Sequence, residues 1–285
     1  MSSHAKNLTT QLLQAEVAAR PVGLVRFIIG CVTIFAFVET FTFLAKLANP
    51  EVLHLPYVAA MPELTSAHLA FLIPATLICA LLFAVGWHTR LTGTLIVTAI
   101  GFVLIYDQQL YSNHLYLLAL LVFLLTLGDS GAQWSIDAMR GGGKTTVQAW
   151  PILLIKVQIS VVYFFAAVSK IMPDYLSGQV LVHVLHADFL ATPLFAAWSP
   201  LMLPLLASLS IGVELFIAFA LWFPRLRWVA LLAGIGLHGM IILLMAWPHP
   251  FTVLQLTVFE ATIMTPYLLF FQGTSSRLLQ RTAVQ

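Results

Sequence analysis

Eight long apolar stretches decide what this chain can fold into. They run over Val22–Ala45, Ala67–Gly86, Leu91–Ile105, Leu115–Gly128, Trp150–Lys170, Pro200–Phe223, Leu226–Ala246 and Phe251–Phe271. A helix crosses the bilayer core in about 20 apolar residues, because every backbone N–H and C=O must be satisfied within the lipid. The third and fourth stretches are short and read as tilted or re-entrant. Leu181–Ala197 is amphipathic and carries Pro193, so it reads as an interfacial helix rather than a ninth span. Only 8% of the 285 residues are charged and 60% are hydrophobic, whereas soluble domains carry roughly 25% charged residues. The expected fold class is an all-α integral membrane protein, a polytopic helical bundle without a soluble domain.

The same composition excludes several functions. A net charge of +2 leaves no basic stripe for nucleic acid. The two cysteines, Cys31 and Cys79, both lie in apolar runs and read as packed thiols, not a bridge. Neither has a Cys or His at ligand spacing, so no metal is expected. Gly141–Gly143 before Lys144 and Thr145 lacks the strand and glycine spacing of a phosphate loop.

Three segments are expected. Residues 1–21 form a polar, weakly amphipathic lead, read as an interfacial helix and not a signal peptide, since the apolar run after Arg20 exceeds an h-region of roughly 7–15 residues. Residues 22–272 form the transmembrane domain, and residues 273–285 a tail. Basic residues then fix the orientation, because cytoplasmic loops carry the Lys and Arg excess. Lys6, Arg20, Arg90, Arg140, Lys144, Arg225, Arg227, Arg277 and Arg281 fall on one side, and only Lys46 and Lys170 on the other. Both termini are therefore expected in the cytoplasm, with the loops around Glu51, Asp107, Asp174 and His249 facing outward.

An ionisable group in a span costs about 2.5–3.5 kcal/mol on insertion scales and needs a reason. Glu39, Glu214, His238 and Glu260 are such groups. Each glutamate taken alone reads as structural glue between helices. His238 has Gly234, Gly236 and Gly239 around it, which let a helix or a flat ligand approach. The outward side holds a polar run, Asp107, Gln108, Gln109, Tyr111, Ser112, Asn113 and His114. Lys170 closes the fifth stretch, and Tyr163, seven residues earlier, shares its helix face. A terminal lysine ordinarily snorkels to the interface. Turned instead into an apolar pocket, Lys170 becomes a usable base, with His114 as a proton partner.

These residues also carry a resemblance. Tyr111-Ser112-Asn113-His114-Leu115-Tyr116-Leu117, with Asp129 and Trp134-Ser135-Ile136-Asp137 after it, is similar to the vitamin K-dependent γ-carboxylase family and its bacterial relatives, the horizontally transferred transmembrane (HTTM) domain proteins. A second block strengthens it: Gln158, Val162 to Lys170, then Asp174-Tyr175-Leu176-Ser177-Gly178. Glu214, Leu237-His238 and Pro250-Phe251 make a weaker third. The resemblance implies that Lys170 deprotonates a reduced vitamin K or related quinol, and that His114 assists. Oxygen then converts the quinol to an epoxide, and a glutamate side chain loses a γ-proton and gains carbon dioxide. Asn113, Tyr111, Tyr163, His238, Gly234, Gly236 and Glu214 would bind the apolar, quinone-like ligand, from the outward face of a bacterial cytoplasmic membrane. The family's large lumenal domain has no counterpart after these spans, and Ser169 stands where animal enzymes have a second lysine. Quinol oxidation is therefore favoured over protein carboxylation. The rival readings are a non-catalytic maturation or immunity partner of a small secreted peptide, and a carrier for a small acid or proton. Carriers show a repeat between halves, and this chain has none.

Overall fold

A computed structural model describes residues 13–49, 51–58, 61–185, 190–246 and 249–272. Leu8, Leu12, Lys6 and the tail from residue 273 lie outside the described residues. Among the described residues, seven helices are long and apolar enough to cross a membrane. An eighth, Asn113–Leu127, has 15 residues. At 1.5 Å per residue it reaches about 22 Å, short of a bilayer core of about 30 Å. The chain is thus an all-α polytopic membrane protein, and the third apolar stretch, Thr89–Tyr106, is a full-length span.

The chain divides into two compact units. The first comprises residues up to Ile155 together with those from Ala261 onward; the second is Lys156–Glu260. Unit 1 is built from α1 (Ala19–Leu47), α2 (Ser66–Val85), α3 (Thr89–Tyr106) and α4 (Asn113–Leu127). Consecutive helices pack side by side, and α1 also meets α4. The α1–α2 contact is close because Gly30 has no side chain: a Cβ there would lie 2.5 Å from the Ala84 Cα.

Polar bonds hold the two ends of unit 1. At one end Asp107, fully buried, accepts from the Leu55 amide at 2.7 Å and the Gln109 amide at 2.9 Å. Gln109 also donates to the Leu53 carbonyl at 2.7 Å. This acidic group therefore anchors the loop 51–58 and does not stand open at a mouth. At the other end Arg26, also fully buried, donates to the carbonyls of Ser130 at 3.4 Å and Trp134 at 2.5 Å. Asp137 accepts from the amides of His88 and Thr89 at 2.8 and 3.0 Å and caps α3. Asp129 pairs with Arg90 at 2.5 Å and Lys144 at 3.0 Å. Burial opposes the charge on Asp129, but the hydrogen bonds and charges of Arg90 and Lys144 outweigh it and hold the carboxyl below its ordinary range.

The end of the N-terminal segment departs from the expected helix. Glu16–Ala18 (β1) is a strand paired antiparallel with Thr146–Gln148 (β2), Val17 opposite Val147. The Thr146 hydroxyl donates to Glu16 at 2.7 Å. Within Glu16–Ala18 only Val17 favours a strand by type, so the pairing itself, which satisfies the backbone groups of both segments, holds this conformation.

Unit 2 contains most of α5 (Ala149–Ser169), the short α6 (Pro173–Leu176) and α7 (Gln179–Val184), then α8 (Pro193–Ala220), α9 (Arg227–Met245) and most of α10 (Pro250–Met264). The Leu181–Ala197 segment is not one helix. α7 ends at Val184, and Pro193 opens the 28-residue α8. Proline suits a first helical turn, where its missing N–H costs nothing. Tyr267–Phe270 (α11) continues α10 in one apolar stretch, Pro250–Phe270, and packs on α1 in unit 1.

Candidate functional site

Unit 2 brings together ionisable groups from its own apolar helices and joins them in pairs. Tyr163 stands on α5 two turns before Lys170, which follows the helix end at Ser169. Glu214 comes from α8, His238 from α9 and Glu260 from α10. Lys170 Nζ donates to Glu214 Oε1. His238 turns its Nδ1 to Glu260 Oε2 and its Nε2 to the Tyr163 hydroxyl. Exposures of 1% for Tyr163, 5% for Glu214 and His238 and 3% for Glu260 place all four out of water.

Lys170 is not a snorkelling lysine. Its side chain keeps 28% of its exposure, but its ammonium turns inward to Glu214. The Tyr175 ring lies 5.7 Å from the same ammonium, within cation–π range. Tyr175 in turn is held by a 2.9 Å hydrogen bond between its hydroxyl and Ser210 Oγ. The helix end is thereby fixed over the carboxylate.

Two acceptors are left over. Glu214 Oε2 and Glu260 Oε1 are buried and have no hydrogen-bond partner among the described residues. Leaving a buried acceptor unsatisfied costs about 1–3 kcal/mol, more when it is charged, so each marks a place for a donor. Gly234, one turn before His238, is buried on the same side of α9. Gly236 is exposed on another face, where an added Cβ would meet nothing within 4 Å. Gly236 and Gly234 thus lie on different faces of α9, since two residues along a helix turn the side chain through about 200°.

The remaining expected residues belong to unit 1. Tyr111 and Asn113 are exposed and His114 is half-buried at the start of α4. Ser112 caps that helix through the Leu115 amide at 3.3 Å, and its hydroxyl lies 2.8 Å from His114 Nδ1. His114 is thus part of unit 1 and Lys170 of unit 2. Among the described residues, no three His, Cys, Asp or Glu side chains gather as metal ligands.

A family model described as the HTTM domain matches residues 15–264. The chain belongs to the HTTM-domain family. The HTTM domain is the transmembrane part of vitamin K-dependent carboxylase-like proteins. No solved structure matches the chain. In this HTTM protein the match takes in all four helices that supply the buried cluster. Glu260 was the member least visible in sequence. Read alone, it was a carboxylate within an apolar run; the signal lay in needing a partner at its depth, which His238 on the preceding helix provides.

Proposed function

We propose that this HTTM protein binds a reduced quinone in unit 2 and takes a proton from it through the Lys170–Glu214 pair. The observation that carries the reading is the inward Lys170, held on a buried carboxylate whose second oxygen lacks a donor. A quinol fits these residues. Its ring suits an apolar surrounding, and one of its hydroxyls is the donor that Glu214 Oε2 lacks. When bound, the quinol would supply the oxygen-dependent redox chemistry that no side chain here can perform.

The protein's own part is proton handling. A lysine ammonium is no base while it holds its proton. In a dry pair the proton can pass from Lys170 to Glu214, leaving an amine that accepts a hydroxyl proton while Glu214 keeps the first. Glu214 is then the final acceptor, and Tyr175 a positioning residue for the lysine. Asn113, Tyr111 and His114, in unit 1, stand on the family resemblance alone. The proposal also takes the site to face outward from a bacterial cytoplasmic membrane, with both termini inside. The charge asymmetry of the loops supports that orientation.

The test is conversion of vitamin K hydroquinone to its epoxide, with oxygen, by the full-length protein in nanodiscs. The expected result is product from the wild type and a drop of about 100-fold or more in Lys170→Ala and Glu214→Gln, the usual loss for a proton-transfer group. His114→Ala is expected to fall by a smaller factor. No product from folded wild-type protein would overturn the reading and favour a non-catalytic membrane partner.

A further inference from the structure

The charges in unit 2 do not balance unless one more proton is present. Lys170 contributes one positive charge, and Glu214 and Glu260 one negative charge each. The sum is −1, in a cluster whose carboxylates, imidazole and phenol are all at least nine-tenths buried. An unbalanced charge is costly in an apolar interior. The groups that face His238 are Tyr163 from α5, Glu260 from α10 and, at longer range, Glu214 from α8 with its partner Lys170. Among them only the imidazole can add a positive charge.

We propose that Tyr163, His238 and Glu260 form a proton-holding centre that balances the charge of the Lys170–Glu214 pair. The inference rests on the reading that this cluster handles an ionisable ligand. In the resting protein His238 carries a proton on each ring nitrogen. Nδ1–H faces the Glu260 carboxylate, and Nε2–H donates to the Tyr163 oxygen. Two ion pairs, Lys170 with Glu214 and His238 with Glu260, then sum to zero.

When the ligand gives up a proton, its O–H bond breaks and an O–H bond forms on Glu214. The cluster becomes +1 beside a ligand of −1, and the sum stays at zero. His238 keeps both ring protons, so its charge and that of Lys170 hold the ligand anion, and Tyr163, accepting from Nε2–H, turns its own hydroxyl proton to the ligand oxygen as a hydrogen bond. The final state is Lys170 positive, Glu214 neutral, His238 positive and Glu260 negative. Glu260 does not touch the ligand in this scheme. It is a positioning residue that holds the imidazole and keeps its Nδ1 proton in place.

The test needs no ligand. Full-length protein labelled with 15N-histidine is placed in phosphatidylcholine nanodiscs, and solid-state NMR counts the ring protons of His238, assigned by the signal lost in His238→Asn. Two ring protons are expected in the wild type. Lys170→Met is expected to keep both. Glu214→Gln removes one negative charge without touching the imidazole, so its His238 is expected to lose one ring proton. A merely structural imidazole would not respond to that substitution. One ring proton in the wild type overturns the proposal without any variant. Two ring protons that Glu214→Gln leaves unchanged overturn the coupling. The epoxide assay is independent: its failure would remove the quinol reading and leave the ring-proton result standing. Where the wild type does turn over, Tyr163→Phe is expected to slow it about 10-fold or more while the ring-proton count stays at two.

The other candidate was a cavity of about 350 Å³ in unit 1, lined by His88, Arg90, Asp129, Asp137 and Lys144. Asp129 pairs with both of its cations and Asp137 is held by the His88 and Thr89 amides, so two cations and two carboxylates sum to zero and, among the described residues, nothing buried is left without a partner there.

Discussion

At the scale of single residues, pairs inside apolar helices make stability asymmetric. Lys170 keeps 28% of its exposure, so without Glu214 its ammonium escapes dehydration where it stands, beside the Tyr175 ring. Glu214 is buried and has no such escape. Lys170→Met should therefore destabilise more than Glu214→Gln, by about 1–3 kcal/mol. The double variant should recover most of that difference, since it leaves no unpaired charge. Thermal unfolding in one detergent compares the three; equal losses in both single variants would contradict the argument. Arg26 gives a second case. Its guanidinium is the only cation on the carbonyls of Ser130 and Trp134 among the described residues. Arg26→Met keeps the volume and removes those bonds, at a cost of about 2–3 kcal/mol. Faster hydrogen exchange at residues 130–137, with the helices unchanged, is the expected signature.

At the scale of elements, close helix approach and helix capping carry most of unit 1. Gly30→Leu would drive a side chain into the backbone of Ala84, forcing α1 and α2 apart. A loss of about 1–3 kcal/mol is expected, with Gly30→Ala at the lower end, read as a lower melting temperature. The cap on α3 sets a pH dependence. Partial burial opposes the charge on Asp137, but the hydrogen bonds from Thr89 and His88 outweigh it and hold the carboxyl below its ordinary value. A depressed value means that the charged form stabilises the folded chain. That contribution is complete above about pH 4, the ordinary aspartate value, and is lost as the pH falls through the lowered one. Melting temperature should drop on that acid limb in the wild type, and Asp137→Asn should flatten the part due to this group while lowering stability at neutral pH.

At the scale of the whole molecule, alternating helices impose sidedness. In unit 1 the 51–58 loop and the turn before α4 share one end, joined by Asp107, while the 128–148 loop and the α2–α3 turn share the other, joined by Arg26 and Asp137. The proposed orientation puts the second end, where the Lys and Arg excess falls, in the cytoplasm. With Cys31 and Cys79 replaced, His54→Cys should react with an impermeant maleimide from outside intact cells, and Lys144→Cys only after the membrane is opened. The reverse pattern would invert the proposed orientation.

Sequence by itself determined the class of fold, because an apolar run of span length has one way to satisfy its backbone in lipid. It also singled out Lys170, Glu214, His238 and Tyr163, since ionisable groups in such runs need a reason to be there. It did not determine their partners. Residues 44 or 75 positions apart meet only when helices pack, and helical spacing relates only neighbours three to four apart, or whole turns. Tertiary structure alone decided that Lys170 turns to Glu214, that His238 lies between Tyr163 and Glu260, and that Gly236 faces away. It also decided that Asp107 and Asp137 serve the backbone of neighbouring loops, and that Glu16–Ala18 is a strand. Each is a question of where a polar group finds its partner, which depends on the whole fold and not on local sequence.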